Sequence, residues 1–459
     1  MTPSDLPVVT AERWRSRAGF LFATTGSAVG IGSIWKFPYE VGVNGGGAFV
    51  VVYALGLALV VVPLLFAEFA IGRRGKASAA MSLAAVAAVE GASPRWRMVG
   101  ALGTVTIFLV LSFYAVIGGW TLSYAVQTAG WGLPGSEPAA VQAEFDSLLA
   151  SPGRMLICQA LFLAVLAGVV VRGVQRGIER AMKVLMPTLA VLLVALAIYS
   201  TIAGDAAAAA RFLFVPDFSA LSTRGVLDAL GLGFFSIGVG LGIMITYASY
   251  SEPGTDLRAI AVTSVVVDSA VSILAGFAVF PIVFANGLDP ASGPGLVFVS
   301  LPLAFAEMPF ARLAALAFFL LLFVASLASA VSMLEGVVAV LGHRMRWSRR
   351  RGVAVATPAC FFAGVATVLS FNRWAGWYPL GAIDRFETAT VFDLVDEATS
   401  NLMLPLGGLA LAIFTGWALP RRWVADAVGL RPIEQRVLRV ALRYLAPAAI
   451  VAATVGSLL

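Results

Sequence analysis

The sequence predicts an all-α polytopic membrane protein made of two inverted five-span repeats followed by an eleventh span. Three observations predict it. Of the 459 residues 60% are hydrophobic and 12% charged, with a mean hydropathy of +0.92, whereas soluble domains carry about a quarter charged residues. Apolar runs long enough to cross a bilayer recur along nearly the whole chain. Two of those runs, at corresponding places in the two halves, are interrupted by glycine: Ala28–Ser33 ("AVGIGS") and Phe235–Gly240 ("FSIGVG").

The apolar runs place spans near 15–42, 46–73, 97–128, 154–172, 178–203, 226–251, 258–286, 312–343, 352–371, 395–419 and 441–458. The third and eighth are long enough to be tilted. The chain reads as a single transmembrane domain over 1–459, with repeat one at about 11–203, repeat two at about 226–419 and the extra helix at about 441–458. Five spans per repeat is an odd number, so the second repeat enters the membrane from the opposite side. No signal peptide is expected, because the first apolar run is too long and too glycine-rich for one. Cys158 and Cys360 both sit in apolar runs and read as buried structural thiols. The outer connections near 204–225 and 287–311 are too long for simple turns and are expected to fold over an outer vestibule.

The net charge of +6 and pI near 9.6 do not indicate a nucleic-acid partner, because the basic residues are scattered through short loops. With the N-terminus placed in the cytoplasm, only Lys36, Arg154, Arg211, Arg224, Arg312, Arg373 and Arg385 of the 31 basic residues fall outside inner segments. An eleventh span then leaves the C-terminus outside, and the expected location is a bacterial cytoplasmic membrane. The run "GHRMRWSRRRG" reads as a solvated loop facing anionic headgroups.

Gly26 and Gly30 form a G-x-x-x-G spacing, which by itself fits close helix packing. The matching break in the sixth run, with Ser33 and Ser236 beside the two breaks, points instead to a mid-membrane binding site between repeats. Asp268 lies well inside the seventh run, and a carboxylate there is expensive enough to be functional.

Six stretches resemble the neurotransmitter:sodium symporter family: "RWRSRAGFLFATTGSAVGIGSIWKFPYEVGVNGGGAF", "PLLFAEFAIGRRG", "SFYAVIGGWTLSYA", "GVQRGIERAMKVLMPTL", "FFSIGVGLGIMITYASY" and "FDLVDEATSNLMLPLGG". The resemblance runs in order from the first span to the last. It implies the leucine-transporter (LeuT) fold and sodium-coupled uptake of a small amine or amino acid by alternating access. Ending after eleven spans is similar to the shorter bacterial members.

A broken helix exposes amides at one half's start and carbonyls at the other half's end, which attract an anion and a cation respectively. The Ile31 and Gly32 amides are therefore assigned to a substrate carboxylate. The resemblance adds the Tyr114 hydroxyl, and the carbonyls of Ala28, Phe235 and Ser236 remain for an ammonium. Gly30 stands where monoamine-carrying relatives have an aspartate, which favours an amino acid over a monoamine. The side-chain pocket carried over from the family comprises Val110, Ile117, Phe235, Gly238, Leu241, Ser329 and Met333. Its apolar character, with Gly238 and Leu241 in place of bulkier or polar residues, predicts a hydrophobic or aromatic amino acid.

The resemblance assigns a first sodium site to Ala28, Ser33, Ser236 and Asp268, all oxygen donors suited to Na⁺. Ser33 replaces the usual asparagine, and Ser236 a threonine. Asp268 stands where an asparagine is common and supplies a negative charge that chloride-dependent members take from a bound anion. Ser272 matches their chloride-site serine and Leu232 replaces a glutamine, so no chloride requirement is expected. A second sodium site keeps Gly26, Val29, Ala325 and Ser329, but Ala328 replaces an oxygen donor and weakens it. One or two ions are expected.

Lys36 and Asp396 match the family's outer gating pair, with Tyr114 and Phe235 as an aromatic lid. Lysine lacks the bidentate fork of arginine, which predicts a weaker latch. At the inner face Ala11 and His343 replace a basic and an acidic partner, so closure must use other groups, with Trp14, Arg13 and Glu335 as candidates. These departures leave two alternatives open, an ion-uncoupled binding or sensor protein and a proton-driven carrier using Asp268. An enzyme is not expected, because no metal cluster or nucleophile–base set is present. The oligomeric state has no sequence signal.

Overall fold

The computed structural model describes residues 12–133, 135, 137–288, 296–306 and 308–458. Among them every regular element is helical. Among the described residues nine helices are long and apolar enough to cross a bilayer: Gly47–Gly75, Pro94–Gly130, Pro152–Val170, Val174–Ala203, Leu257–Ala285, Ala311–Met345, Arg349–Ser370, Val391–Ala418 and Pro432–Gly456. A tenth span is the pair Arg17–Ala28 and Gly32–Val43, bent by 52° at its break. Between Val174–Ala203 and Leu257–Ala285 stand two helices too short to cross singly, Thr223–Ile237 and Ile243–Ser249, which together make another span. The bent pair is span one, the two short helices are span six, and the others take their numbers in chain order up to eleven.

Span one begins on a serine cap: Ser16 has extended backbone and its hydroxyl accepts the Gly19 amide at 3.0 Å. Its first half ends at Ala28, where Val29 turns extended (φ −77°, ψ 99°). None of Gly26, Gly30 and Gly32 has positive φ. These glycines serve close approach instead: a Cβ on Gly26 would lie 2.8 Å from Met182 Sδ, and one on Gly30 would lie 2.5 Å from Ser329 Oγ. The packing role that their spacing allowed is therefore real, and it coexists with the break.

In span six glycine plays the other role. Gly238, Gly240 and Gly242 have φ of +70°, +92° and +80°, a region that side-chain-bearing residues rarely enter. The unwound stretch is 238–242, slightly after the expected 235–240, because Phe235, Ser236 and Ile237 complete the last turn before Gly238 caps it. Gly240 also packs backbone to backbone on span ten, since a Cβ there would meet Gly408 N at 2.6 Å. Glu68 of span two, fully buried, accepts the Gly240 amide at 2.8 Å. Its carboxyl sits at the N-terminal end of the second half-helix, where the helix dipole favours negative charge.

Span one packs against spans five, seven and eight, and span three runs along span eight. The two halves of span six lie against span two, with the first half also on span eleven and the second on span eight. Both breaks are thereby held at the centre of the bundle. In the outer connections, Ala206–Phe214 is a helix packed on span seven. The segment 296–306 is helical and buries Phe298 against Trp120 and Tyr124 of span three, with Trp35 5.9 Å away. Residues 289–295 and 307 of that connection lie outside the described residues.

Span eleven begins at Pro432, nine residues before the expected 441. Arg436, Arg439 and Arg443 lower its hydropathy, so the apolar run alone reveals only its later part. The first turns are held by helix capping around Arg431 and Glu434.

Candidate functional site

The two breaks face one cavity. The first half of span six ends there, leaving its last carbonyls unpaired within the helix, and the second half of span one begins there with its first amides. The Ile31 amide donates to the Tyr114 hydroxyl at 3.3 Å, and a Cβ on Gly30 would come within 3.0 Å of that hydroxyl. This end of the cavity presents Gly32 and the Tyr114 hydroxyl, with the Ile31 amide bonded to that hydroxyl although Ile31 itself does not line the cavity. Away from it the lining turns apolar, with Val110, Leu241 and Met333 beside Gly238 and Phe235. Of the expected pocket residues these five and Ser329 line the cavity, together with Ala28, Gly30, Gly32, Tyr114 and Ser236. Ile117 does not, and is buried among neighbouring side chains.

Span ten contributes residues that the sequence reading missed. A widened stretch of helix at Glu397–Met403 brings Thr399 and Ser400 to the cavity, and Leu404 follows. Such wide turns recur at functional sites, but nothing in the local composition announces one. Ile243, the first residue of the second half of span six, was also missed and lines the cavity.

Beneath the polar end, Ser33, Ser236 and Asp268 converge. Ser33 Oγ donates to Asp268 Oδ1 at 2.6 Å, Ser236 Oγ lies 3.0 Å from both carboxylate oxygens, and the two hydroxyls are 3.0 Å apart. All three side chains are buried. Tyr53 of span two, which carried no sequence signal, donates to Asp268 Oδ2 at 3.2 Å. Ser272 Oγ, one turn on from Asp268, is buried and makes no hydrogen bond of normal geometry among the described residues. Among the described residues the Asp268 carboxylate is bonded by hydroxyls alone, and a buried carboxylate without a basic partner is chemically suited to a small cation.

A second polar cluster forms where span eight meets the end of the first half of span one. Ser329 Oγ lies 3.4 Å from the Gly26 carbonyl, 3.3 Å from that of Ser27 and 3.4 Å from that of Val29. Gly26, Val29 and Ser329 are brought together, with Ala325 one turn before Ser329. Ala328 is fully buried and offers no side-chain oxygen.

At the outer side Lys36 and Asp396 are not joined by an ion pair. Lys36 Nζ stands over the Phe235 ring at 4.8 Å, and Asp396 Oδ1 accepts from Ser400 at 2.8 Å. At the inner side Ala11 lies outside the described residues, and His343 Nδ1 is 2.8 Å from the carbonyl of Ala339 in its own helix. Arg13 is exposed. Trp14 is buried, donating to the Tyr247 carbonyl at 2.9 Å. Glu335, also buried, holds Arg349 at 2.6 and 2.9 Å and accepts from Tyr250 at 2.7 Å. Arg349 bonds Glu12 as well, at 3.1 Å. The arginine run containing Arg349 was expected to be a solvated loop, yet this one member turns inward.

A model of the sodium:neurotransmitter symporter family matches residues 11–142 and 139–459. The uncharacterized sodium-dependent transporter YhdH of Bacillus subtilis is 38% identical over 404 residues, covering 88% of this chain and 87% of its own length. An uncharacterized sodium-dependent transporter of Haemophilus influenzae is 31% identical over 415 residues, 89% of each chain. Among solved structures, MhsT in complex with L-phenylalanine superposes with a TM-score of 0.88 at 40% identity, covering 97% of this chain and 99% of MhsT.

Proposed function

The chain belongs to the sodium:neurotransmitter symporter family, a membrane-embedded sodium-dependent transporter rather than an enzyme, and from that premise we propose that its cargo is a hydrophobic or aromatic amino acid. The carboxylate docks on the Ile31 and Gly32 amides and the Tyr114 hydroxyl. The ammonium meets the carbonyls of Ala28, Phe235 and Ser236 at the negative end of the half-helix. The side chain occupies the apolar part lined by Val110, Leu241, Ile243 and Met333. The observation that carries this reading is the 3.3 Å contact of the Ile31 amide with the Tyr114 hydroxyl, in a cavity whose lining also offers Val110, Leu241, Ile243 and Met333 to an apolar side chain. The L-phenylalanine complex of MhsT supports the same substrate class.

Sodium at the first site is held by the Ala28 carbonyl, Ser33, Ser236 and Asp268. Asp268 brings its own negative charge, so transport is chloride-independent. The second site, at the Gly26 and Val29 carbonyls with Ala325 and Ser329, has lost one donor at Ala328 and binds more weakly. Ion binding and carboxylate docking draw spans one and six together over the substrate, and the bundle then opens to the other side. The predominance of basic residues in one set of loops favours an inner-membrane orientation with the N-terminus cytoplasmic and the C-terminus outside.

The test is uptake by the purified protein in liposomes, using a panel of labelled amino acids under imposed Na⁺ or H⁺ gradients. Phenylalanine-like substrates should accumulate with a Na⁺ gradient, and replacing chloride by gluconate should leave the rate unchanged. Binding without accumulation would sink the symport reading. Accumulation driven by pH alone would move coupling to protonation of Asp268.

A further inference from the structure

The ends of spans ten and eleven enclose a basic cleft that the transport cycle leaves unused. It is lined by Thr415, Gly416, Arg421, Gln435, Arg439 and Leu442. Gly416 lets the two spans meet closely, since a Cβ there would lie 3.0 Å from the Leu442 carbonyl oxygen. Arg439 and Arg443 are four residues apart and share a helix face. The Arg443 guanidinium stacks over Trp417 at 4.0 Å and lies 5.9 Å from Tyr444. Its Nε is buried without a partner.

None of Arg421, Arg439 and Arg443 has a carboxylate partner among the described residues. The acid on the same helix, Glu434, is held by Arg258 and by the Arg431 amide, and Asp426 on the short helix Trp423–Val428 is exposed without an ion pair to them. Three guanidinium groups where two apolar spans meet, with no carboxylate partner among the described residues, call for an anion from the surroundings. Trp417 and Tyr444 are 54% and 56% exposed, the placement that amphipathic rings adopt at headgroup depth. Next to them Ile413, Val440 and Leu445 are exposed too, an apolar strip suited to acyl chains.

We propose that this cleft seats the phosphate of an anionic phospholipid on Arg421 and Arg439, with Arg443, stacked on Trp417, adding its charge one turn along the helix from Arg439, and with the acyl chains along Ile413, Val440 and Leu445. A soluble phosphate offers the same charge but nothing to cover the apolar strip. The arginines are planar donors suited to bidentate phosphate contacts, and the lipid fastens span eleven to span ten.

Trp417 makes the site readable. The protein is reconstituted in phosphatidylcholine vesicles containing a minor fraction of either phosphatidylglycerol or phosphatidylcholine with brominated chains, which quench nearby tryptophan. Brominated phosphatidylglycerol should quench more strongly than brominated phosphatidylcholine. The excess should disappear in Trp417→Phe and fall several-fold in Arg439→Gln/Arg443→Gln. Equal quenching by the two lipids in the wild type, or an excess that survives Trp417→Phe, overturns the proposal. So does loss of the excess on adding millimolar inorganic phosphate, which would make the ligand a soluble anion. If the double variant does not fold, the wild type, Trp417→Phe and the exposed Arg421→Gln still decide. Both leaflets carry the probe, so the result is independent of orientation and of transport.

Discussion

Lys36 Nζ stands 4.8 Å from the centroid of the Phe235 ring, so a cation–π contact, and not an ion pair with Asp396, joins span one to span six above the cavity. Phe235 also separates the cavity from an outer cleft that holds Lys36, Glu40, Asp228 and Ser400. A cation on an aromatic face contributes about 0.5–2 kcal/mol depending on solvent access. Lys36→Gln should therefore weaken substrate retention by roughly 2- to 30-fold, and Phe235→Ala by at least as much. Asp396→Asn should cost less than either in this conformation. Dissociation rates of labelled substrate from detergent-solubilised protein measure this directly. An Asp396→Asn effect equal to that of Lys36→Gln would mean that an ion pair governs closure instead.

Among the described residues Asp268 is bonded by neutral hydroxyls, so its carboxylate supplies the charge that the proposed first sodium site would use. Asp268→Asn keeps the size of the side chain and removes that charge. It should lower apparent Na⁺ affinity by about tenfold or more, corresponding to ~1.4 kcal/mol or more. Ser33→Ala removes one neutral donor and should cost less. Na⁺ titrations of substrate binding, with choline keeping ionic strength constant, give both numbers. An unchanged Na⁺ midpoint in Asp268→Asn removes this carboxylate from the ion site.

The span order and the two breaks are legible because they follow from chain-local properties: apolar length and the presence of glycine. What each glycine does is not local. Gly30 and Gly238 look alike in sequence, yet Gly30 is required by Ser329 and Tyr114 pressing on it, whereas Gly238 is required by its own φ. Ser33, Ser236 and Asp268 were anticipated because polar groups stand out in apolar runs. Tyr53 was not, since an aromatic residue in a membrane span carries no such contrast and its hydroxyl matters only through a partner 215 residues away. Thr399 and Ser400 were missed because a widened turn is set by packing. Arg349 was hidden by its neighbours, since one inward-facing arginine in a run of exposed ones has the same composition as a solvated loop.

The glycines of the second break make a stability prediction with a built-in control. Alanine at Gly240 must take φ near +92° and place its Cβ 2.6 Å from Gly408 N and 2.8 Å from the Leu404 carbonyl oxygen. Both obstacles are backbone and cannot swing away. Strain of this kind costs about 1–3 kcal/mol before any clash is counted, so Gly240→Ala should lower the melting temperature markedly or prevent recovery of folded protein. Gly231→Ala, in the same span, meets nothing within 4 Å and replaces a helical glycine, so it should be neutral or stabilising by up to about 1 kcal/mol. Thermal unfolding followed by size-exclusion chromatography compares them. Similar behaviour of the two variants would show that the break tolerates a side chain.

At the inner face, the ionic contacts of Arg349 divide into a buried part and an exposed part, and the two make different predictions. Glu335 is 0% exposed and shares its carboxylate with Arg349 and Tyr250, whereas Glu12, on the segment leading into span one, is 36% exposed. Arg349→Gln strands the Glu335 charge in the bundle, and breaking a buried pair in this way costs about 3–5 kcal/mol. Glu335→Gln in the same molecule removes the stranded charge and should restore a large part of that loss. Glu12→Gln removes the exposed ion pair, worth about 0–1 kcal/mol, while the Gln oxygen can still accept from the Val174 amide as Glu12 does at 3.1 Å, and should leave the melting temperature nearly unchanged. Glu12 nevertheless ties the segment before span one to span nine through Arg349 and to the start of span five through the Val174 amide. Its loss should therefore shift the resting protein toward inward-open and raise the labelling rate of a cysteine placed at Ser27 on the cavity wall, without a matching loss of stability. The comparison needs melting curves and labelling rates for three variants, Glu12→Gln, Arg349→Gln and Arg349→Gln/Glu335→Gln. If Glu12→Gln destabilises as much as Arg349→Gln, the exposed contact is part of the folded core. If it changes neither measurement, inner closure rests on the Trp14 and Glu335 contacts alone.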